Sequence, residues 1–195
     1  MLSLRNSMLT FAGLLILMIA TRFPGLGSNL HLQDASWAVF FLAGFYLRER
    51  WRWGFPALMV AAVAIDWMAI RYYGVSDYCV TAAYGVLVPA YAILWLGGGW
   101  ARRHAADDPR GLLALVASAL TSASACFLLS NGSFYWLGGR VADPNVGGWT
   151  VNLAAWYGPF VGVCLAYIAA AMLIHRLAAR LRLEATVLRI RAGRE

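Results

Sequence analysis

Six apolar stretches, separated by short connections that carry most of the arginines, constrain this chain more than any single motif. Runs of about 20 apolar residues match the roughly 30 Å hydrocarbon core of a bilayer. With 62% hydrophobic and 13% charged residues and a mean hydropathy of +0.64, an ordinary soluble domain is excluded. The 195 residues suffice for one all-α integral membrane domain of about six transmembrane helices. The expected helices are Ser7–Ala20, Ala35–Leu47, Gly54–Ile70, Tyr78–Leu96, Gly111–Ser130 and Thr150–Ile174. Pro24 and Gly25 close the first. The second is short for a full crossing. Pro56 suits the first turn of the third, and Pro89 is placed to kink the fourth. Residues 131–149, NGSFYWLGGRVADPNVGGW, read as an irregular loop. Residues 1–174 thus form the membrane domain. Residues 175–195 form a basic cytoplasmic tail whose leucines, at helical spacing, suit the membrane surface.

The net charge of +7 does not point to nucleic acid, because the arginines lie between apolar runs and not along one stripe. They act as topology signals. All 16 basic residues are arginine; thirteen fall on one face of the expected bundle and three, Arg22, Arg71 and Arg140, on the other. The positive-inside rule then puts both termini in the cytoplasm. Thr21-Arg22-Phe23-Pro24 offers no small-x-small cleavage site, so the first apolar run is expected to be a retained helix.

The chemistry gathers in residues 64–84, AIDWMAIRYYGVSDYCVTAAY, at the expected external mouth. Asp66 lies in an apolar run, where a carboxylate costs roughly 2.5–3.5 kcal/mol on insertion scales. Either it caps a loop or pairs with an arginine such as Arg71 or Arg140, or it accepts hydrogen bonds from an amide-bearing or cationic ligand. Cys79 falls at the expected start of a helix, where the dipole favours a thiolate, a soft ligand for a transition metal. The bland alternative is a small buried hydrophobe, and that reading is kept for Cys126 and Cys164. No C-x-x-C pair exists to make a zinc or dithiol motif.

Asp77, Tyr78 and Tyr84 share the mouth with Cys79. His31, in the first external loop, is either a solvated histidine or a group within reach of a ligand or metal. His104 and His175 are expected on the cytoplasmic side, without a role. Phe134-Tyr135-Trp136, with Trp149, Trp156 and Tyr157, exceeds what a short loop needs and suits the wall of a large planar ligand; Arg140 lies in the same segment. Asn131-Gly132-Ser133 lacks a later histidine at membrane depth for serine proteolysis. Axial histidines for a haem and a phosphate-cradling glycine loop are also lacking.

With these residues, the chain resembles the BtuM family of small bacterial cobalamin transporters, which are similar to the substrate-binding S-components of energy-coupling-factor transporters. The resemblance covers nearly the whole chain, and its most specific part is Asp66, Asp77-Tyr78-Cys79 and Tyr84, with His31. It implies an S-component-like bundle with an external ligand pocket and uptake of cobalamin. It also implies coordination of the corrin cobalt by Cys79, with Asp66 and Tyr84 as pocket residues. His31, Asp77, Tyr78, Tyr135, Trp136 and Arg140 complete the expected ligand contacts. Thiol-dependent loss of cyanide from cyanocobalamin is implied as a secondary activity. One departure concerns the Ala-x-x-x-Ala pair of S-components that share an energising module. Here the spacing reads Ala12, Ile16, Ala20, which favours a protein without a dedicated energy-coupling module. The competing class is a membrane-embedded cysteine-dependent enzyme that transports nothing.

Overall fold

The computed structural model describes residues 3–23, 32–105 and 108–192, with side chains through residue 181. His31 lies outside the described residues. The helices are α1 (Leu4–Arg22), α2 (Ser36–Leu47), α3 (Trp51–Tyr73), α4 (Leu87–Arg103), α5 (Pro109–Leu137) and α6 (Val146–Ala192). Short 3-10 turns at Arg48–Arg50 and Ala82–Val86 precede α3 and α4, and no strand occurs among the described residues. Five helical stretches are long and apolar enough to cross a membrane: Leu4–Arg22, Ser36–Tyr73, Ala82–Arg103, Pro109–Leu137 and Val146–Leu181.

The stretch Ser36–Tyr73 is not straight. The rings of Phe40 and Phe55 are 5.6 Å apart, whereas fifteen residues of continuous helix would separate them by about 22 Å. The chain therefore doubles back at Arg48–Arg50, and α2 and α3 run in opposite directions. Ten of the twelve residues of α2 are buried, which makes this helix the centre of the fold. Its sequence, SWAVFFLAGFYL, is apolar on every side, the pattern of a helix packed all round.

Glycines set how closely α4 crosses it. A Cβ on Gly44 would collide with the Trp95 carbonyl, and one on Gly98 with the Phe41 carbonyl. Helices in lipid associate through such close packing, because lipid tails are as apolar as side chains. On the other side of α4, the Ser118 hydroxyl donates to the Gly97 carbonyl at 2.8 Å and ties in α5. Polar pairs then join α5 to α6: Asn131 donates to Asn152 at 2.7 Å, and the Trp149 indole N–H donates to Asn131 at 3.2 Å.

Several expectations are corrected. Residues 131–137 continue α5 and 146–149 begin α6, so only 138–145 form the loop expected over 131–149. The polar groups of this segment are satisfied by helical and interhelical bonds: Ser133 donates to the Ser130 carbonyl, and Asn131 bonds α6. Pro89 is the third residue of α4, directly after the Ala82–Val86 3-10 turn that opens the same helical stretch. Pro56 lies in the second turn of α3, which begins three residues before the expected start. The helix expected from Tyr78 begins only at Ala82, as a 3-10 turn. The basic segment from His175 is helical as far as Ala192, in keeping with its leucine spacing, and continues α6.

Candidate site at the α1, α3 and α5 C-terminal end

The C-terminal ends of α1 and α3, the start of α2, the Ala82–Val86 turn and the α5–α6 loop meet at one end of the bundle. Arg22, the last residue of α1, organises it. Its Nε and Nη2 donate to the two oxygens of Asp66 at 2.7 and 2.6 Å, while Nη1 donates to Asp34 at 2.8 Å and to Ser36 Oγ at 3.0 Å. The planar fork of arginine matches a carboxylate in this two-pronged way. The Tyr84 hydroxyl donates to the same Asp66 oxygen at 2.6 Å. Asp34 accepts both the N–H and the hydroxyl of Ser36, at 2.9 and 2.6 Å, and so fixes the start of α2. One guanidinium thereby ties together α1, α2, α3 and the turn before α4. The side chains of Arg22 and Asp66 are 12% and 24% exposed. Two carboxylates share one cation, leaving one negative charge in excess.

Asp66 is thus paired, but not with Arg71 or Arg140. Arg71 is five residues further along α3, on a different face of the helix, and its guanidinium lies 6.0 Å from the Tyr72 ring centroid. Arg140 donates to the Tyr78 carbonyl at 3.1 Å and lies over the Tyr78 ring at 5.0 Å.

Cys79 stands apart from this cluster, on the connection between α3 and α4. Gly74, at φ 66°, ends α3 in the left-handed conformation that an L side chain resists. Residues 74–80 are all exposed, Cys79 and Asp77 among them. Cys79 lies in a turn closed by the Val80 N–H on the Asp77 carbonyl at 2.8 Å. It does not begin a helix, so the expected support of a thiolate by a helix dipole is absent. The reason is local: Thr81 caps the next element by accepting the Ala83 N–H at 3.2 Å, and that element is a five-residue 3-10 turn.

The turn is held to the α5–α6 hairpin through Tyr78, whose ring lies 5.7 Å from that of Phe134 and beneath Arg140. Tyr135 is buried and points into the hairpin, its hydroxyl donating to the Asn145 carbonyl at 3.2 Å. Trp136 is exposed and packs edge-on against Trp149 at 6.1 Å. Cys126 and Cys164 are buried, as expected of packing residues.

Two groupings therefore emerge at one end: Arg22, Asp34, Asp66 and Tyr84 in one, and Tyr78, Arg140 and Phe134 beside Cys79 in the other. Among the described residues the Asp77 side chain makes no hydrogen bond or ion pair with either, and Tyr135 serves the hairpin. Arg22 and Asp34 are the residues that sequence reasoning missed. A carboxylate in an apolar run calls for a cation, and Arg22 ends the first apolar run, but 44 residues separate it from Asp66 and nothing in their spacing pairs them. No group of three or more His, Cys, Asp or Glu side chains that could hold a metal ion occurs among the described residues. A metal that arrives inside a macrocycle asks for only one protein donor. No protein-family model matches the chain, and no curated protein matches it.

Proposed function

We propose that the chain is a six-pass protein of a bacterial inner membrane that binds cobalamin at its outer end and carries it inward, with the Cys79 thiolate as an axial ligand of cobalt. The observation that carries this reading is an exposed cysteine on a short turn pinned by Tyr78 to an aromatic hairpin, with a charged, hydrogen-bonding cluster at the same end. The corrin supplies four equatorial nitrogens, so a lone soft donor is what the metal still accepts from a protein. Coordination deprotonates the thiol without help from a helix terminus.

Substitution at cobalt balances simply. A cobalt–sulfur bond forms, the bond to cyanide breaks with its electron pair, and cyanide leaves as the anion. The amide groups on the corrin rim suit the Asp66–Tyr84 cluster, Arg140 and the adjoining aromatics, with Asp77 and Trp136 at the periphery. The opposed directions of α2 and α3 favour six passages. At about 18 Å, α2 is shorter than the hydrocarbon core. The Arg22–Asp34 ion pair at its N-terminal end suits a water-filled recess in which charge is tolerated. Ile16, 65% exposed between Ala12 and Ala20, fills the spacing where a small-residue contact with an energising module would form.

A covalent cysteine enzyme is less well supported. The two described histidines, His104 and His175, lie towards the other end, so neither serves as a base beside Cys79. The test is the visible spectrum of the full-length protein purified with cyanocobalamin. A coloured complex whose spectrum differs from free cyanocobalamin, together with rescue of a cobalamin-requiring host that lacks its own importer, is the expected result. A colourless protein and no rescue despite good expression would overturn the proposal.

A further inference from the structure

At the end of the molecule remote from Cys79, a cleft of about 690 Å³ opens between the Arg48–Arg50 turn, the start of α3 and the last turns of α4. That volume falls within the roughly 300–1,000 Å³ typical of small-molecule sites. Its walls are mostly apolar, with Trp51, Phe55, Leu96 and Trp100, and Arg48 and Arg103 stand in the same lining. Glycines shape it. Gly99 leaves room for the stem of Arg48, whose Cβ would lie 3.6 Å from a Cβ at that position, and Gly54 sits against the Trp95 ring, 3.1 Å from where its Cβ would be. The Phe55 and Trp95 rings meet edge to face at 5.7 Å and form a firm floor.

Two features of the cleft identify its occupant. Trp51, Leu96 and Trp100 are 58%, 69% and 46% exposed, so the apolar wall is open to the side. The two ion pairs among the described residues both belong to Arg22, so neither Arg48 nor Arg103 has a carboxylate partner there. Tryptophan and arginine together mark the headgroup level of a membrane. Two guanidinium groups over an apolar slot at that level complement an anionic headgroup that carries acyl chains.

We propose that this cleft binds an anionic phospholipid, with its phosphate between Arg48 and Arg103 and an acyl chain along Phe55 and Leu96. Guanidinium forks suit phosphate oxygens. A zwitterionic lipid would bring a cationic group beside two arginines and bind less well. The site is independent of Cys79 and of any cobalamin chemistry.

The test titrates the full-length protein in detergent with brominated phosphatidylglycerol or brominated phosphatidylcholine and reads quenching of tryptophan fluorescence. Trp51, Trp95 and Trp100 line the cleft and report on bromine placed in it. Phosphatidylglycerol should quench at lower mole fraction, and Arg48→Gln and Arg103→Gln should each weaken that preference about fivefold. Arg5→Gln with Arg110→Gln, neither of them in the lining of the cleft, should leave it intact. Inorganic phosphate at millimolar concentration should not displace the lipid, because it lacks the apolar part. Equal quenching by both lipids overturns the proposal. So does equal loss in the control pair, or displacement by phosphate alone. Should the arginine variants fail to fold, competition on the native chain decides: dioctanoyl phosphatidylglycerol must displace the brominated lipid better than dioctanoyl phosphatidylcholine, and parity refutes the site.

Discussion

Arg22 ties four elements together at the end of the bundle where Cys79 stands exposed, and the proposed chemistry belongs to Cys79. Removing Arg22 leaves two carboxylates facing each other without a cation, at a place where Asp66 is 24% exposed. Breaking a largely buried ion pair from one side typically costs 3–5 kcal/mol. Arg22→Met should therefore lower the thermal midpoint of the detergent-solubilised protein strongly. Asp66→Asn alone should cost less, since Arg22 keeps Asp34. The double variant should be less destabilised than the sum of the two, which a double-mutant cycle on the unfolding midpoints measures. Strict additivity would mean that the pair contributes nothing as a pair. At Cys79 the expectation is spectroscopic: Cys79→Ala and Cys79→Ser should both lose the thiolate-type cobalamin spectrum and any release of cyanide, since a hydroxyl is a harder and far less acidic ligand. Cys126→Ala and Cys164→Ala should keep both properties, because those thiols are buried in packing. A thiolate-type spectrum that survives in Cys79→Ala would place the metal on another donor, with His31 the next to test. Asp66, Cys79 and Tyr84 were legible in the sequence because each is a reactive group in or beside an apolar run. The Arg22–Asp66 bond was not, because 44 residues separate the partners and no periodicity connects them.

The pairing of α2 with α4 rests on glycine, which gives it a sharp test among the helices. Gly44→Ala and Gly98→Ala each place a methyl group against a carbonyl of the facing helix, so backbone and not a flexible side chain must yield. Overpacking of this kind typically costs 1–3 kcal/mol, and each variant should show a lower unfolding midpoint. Gly13→Ala in α1, with nothing within 4 Å of the added Cβ, should be neutral or slightly stabilising. If all three variants melt alike, the α2–α4 crossing is looser than described. Hydropathy alone located the six helical stretches, because a run of apolar residues in water has no other use at this length. It misplaced the ends for two reasons. Glycine, asparagine and serine signal loops in water, yet between α5 and α6 Asn131 and Asn152 bond across the pair and Gly132 lies 3.5 Å from the Trp149 ring. The polar Asp77-Tyr78-Cys79 run was taken for a helix entrance, whereas Thr81 provides the cap two residues later.

Across the whole molecule, the arrangement of helices sorts the arginines by end. Arg48, Arg50, Arg52, Arg102 and Arg103 lie at the end where α2 turns into α3 and α4 stops, while Arg22, Arg71 and Arg140 lie at the end that holds Cys79. The proposed orientation puts the first of these ends in the cytoplasm, following the positive-inside rule. The protein carries its own probe of that orientation, because Cys79 is exposed while Cys126 and Cys164 are buried. A membrane-impermeant maleimide added to intact spheroplasts should label the native chain at a single cysteine and leave Cys79→Ala unlabelled. In a Cys79→Ala background, Ala105→Cys, beyond the end of α4, should react only after the membrane is opened. Cyanocobalamin added before the maleimide should protect Cys79, since a thiolate that has donated to cobalt is a weaker nucleophile and the corrin shields it from the reagent. Labelling of Ala105→Cys from outside would invert the molecule and put the candidate site on the cytoplasmic face, where uptake could not begin. Labelling of Cys79 from outside without protection would keep the orientation and detach the cysteine from the ligand.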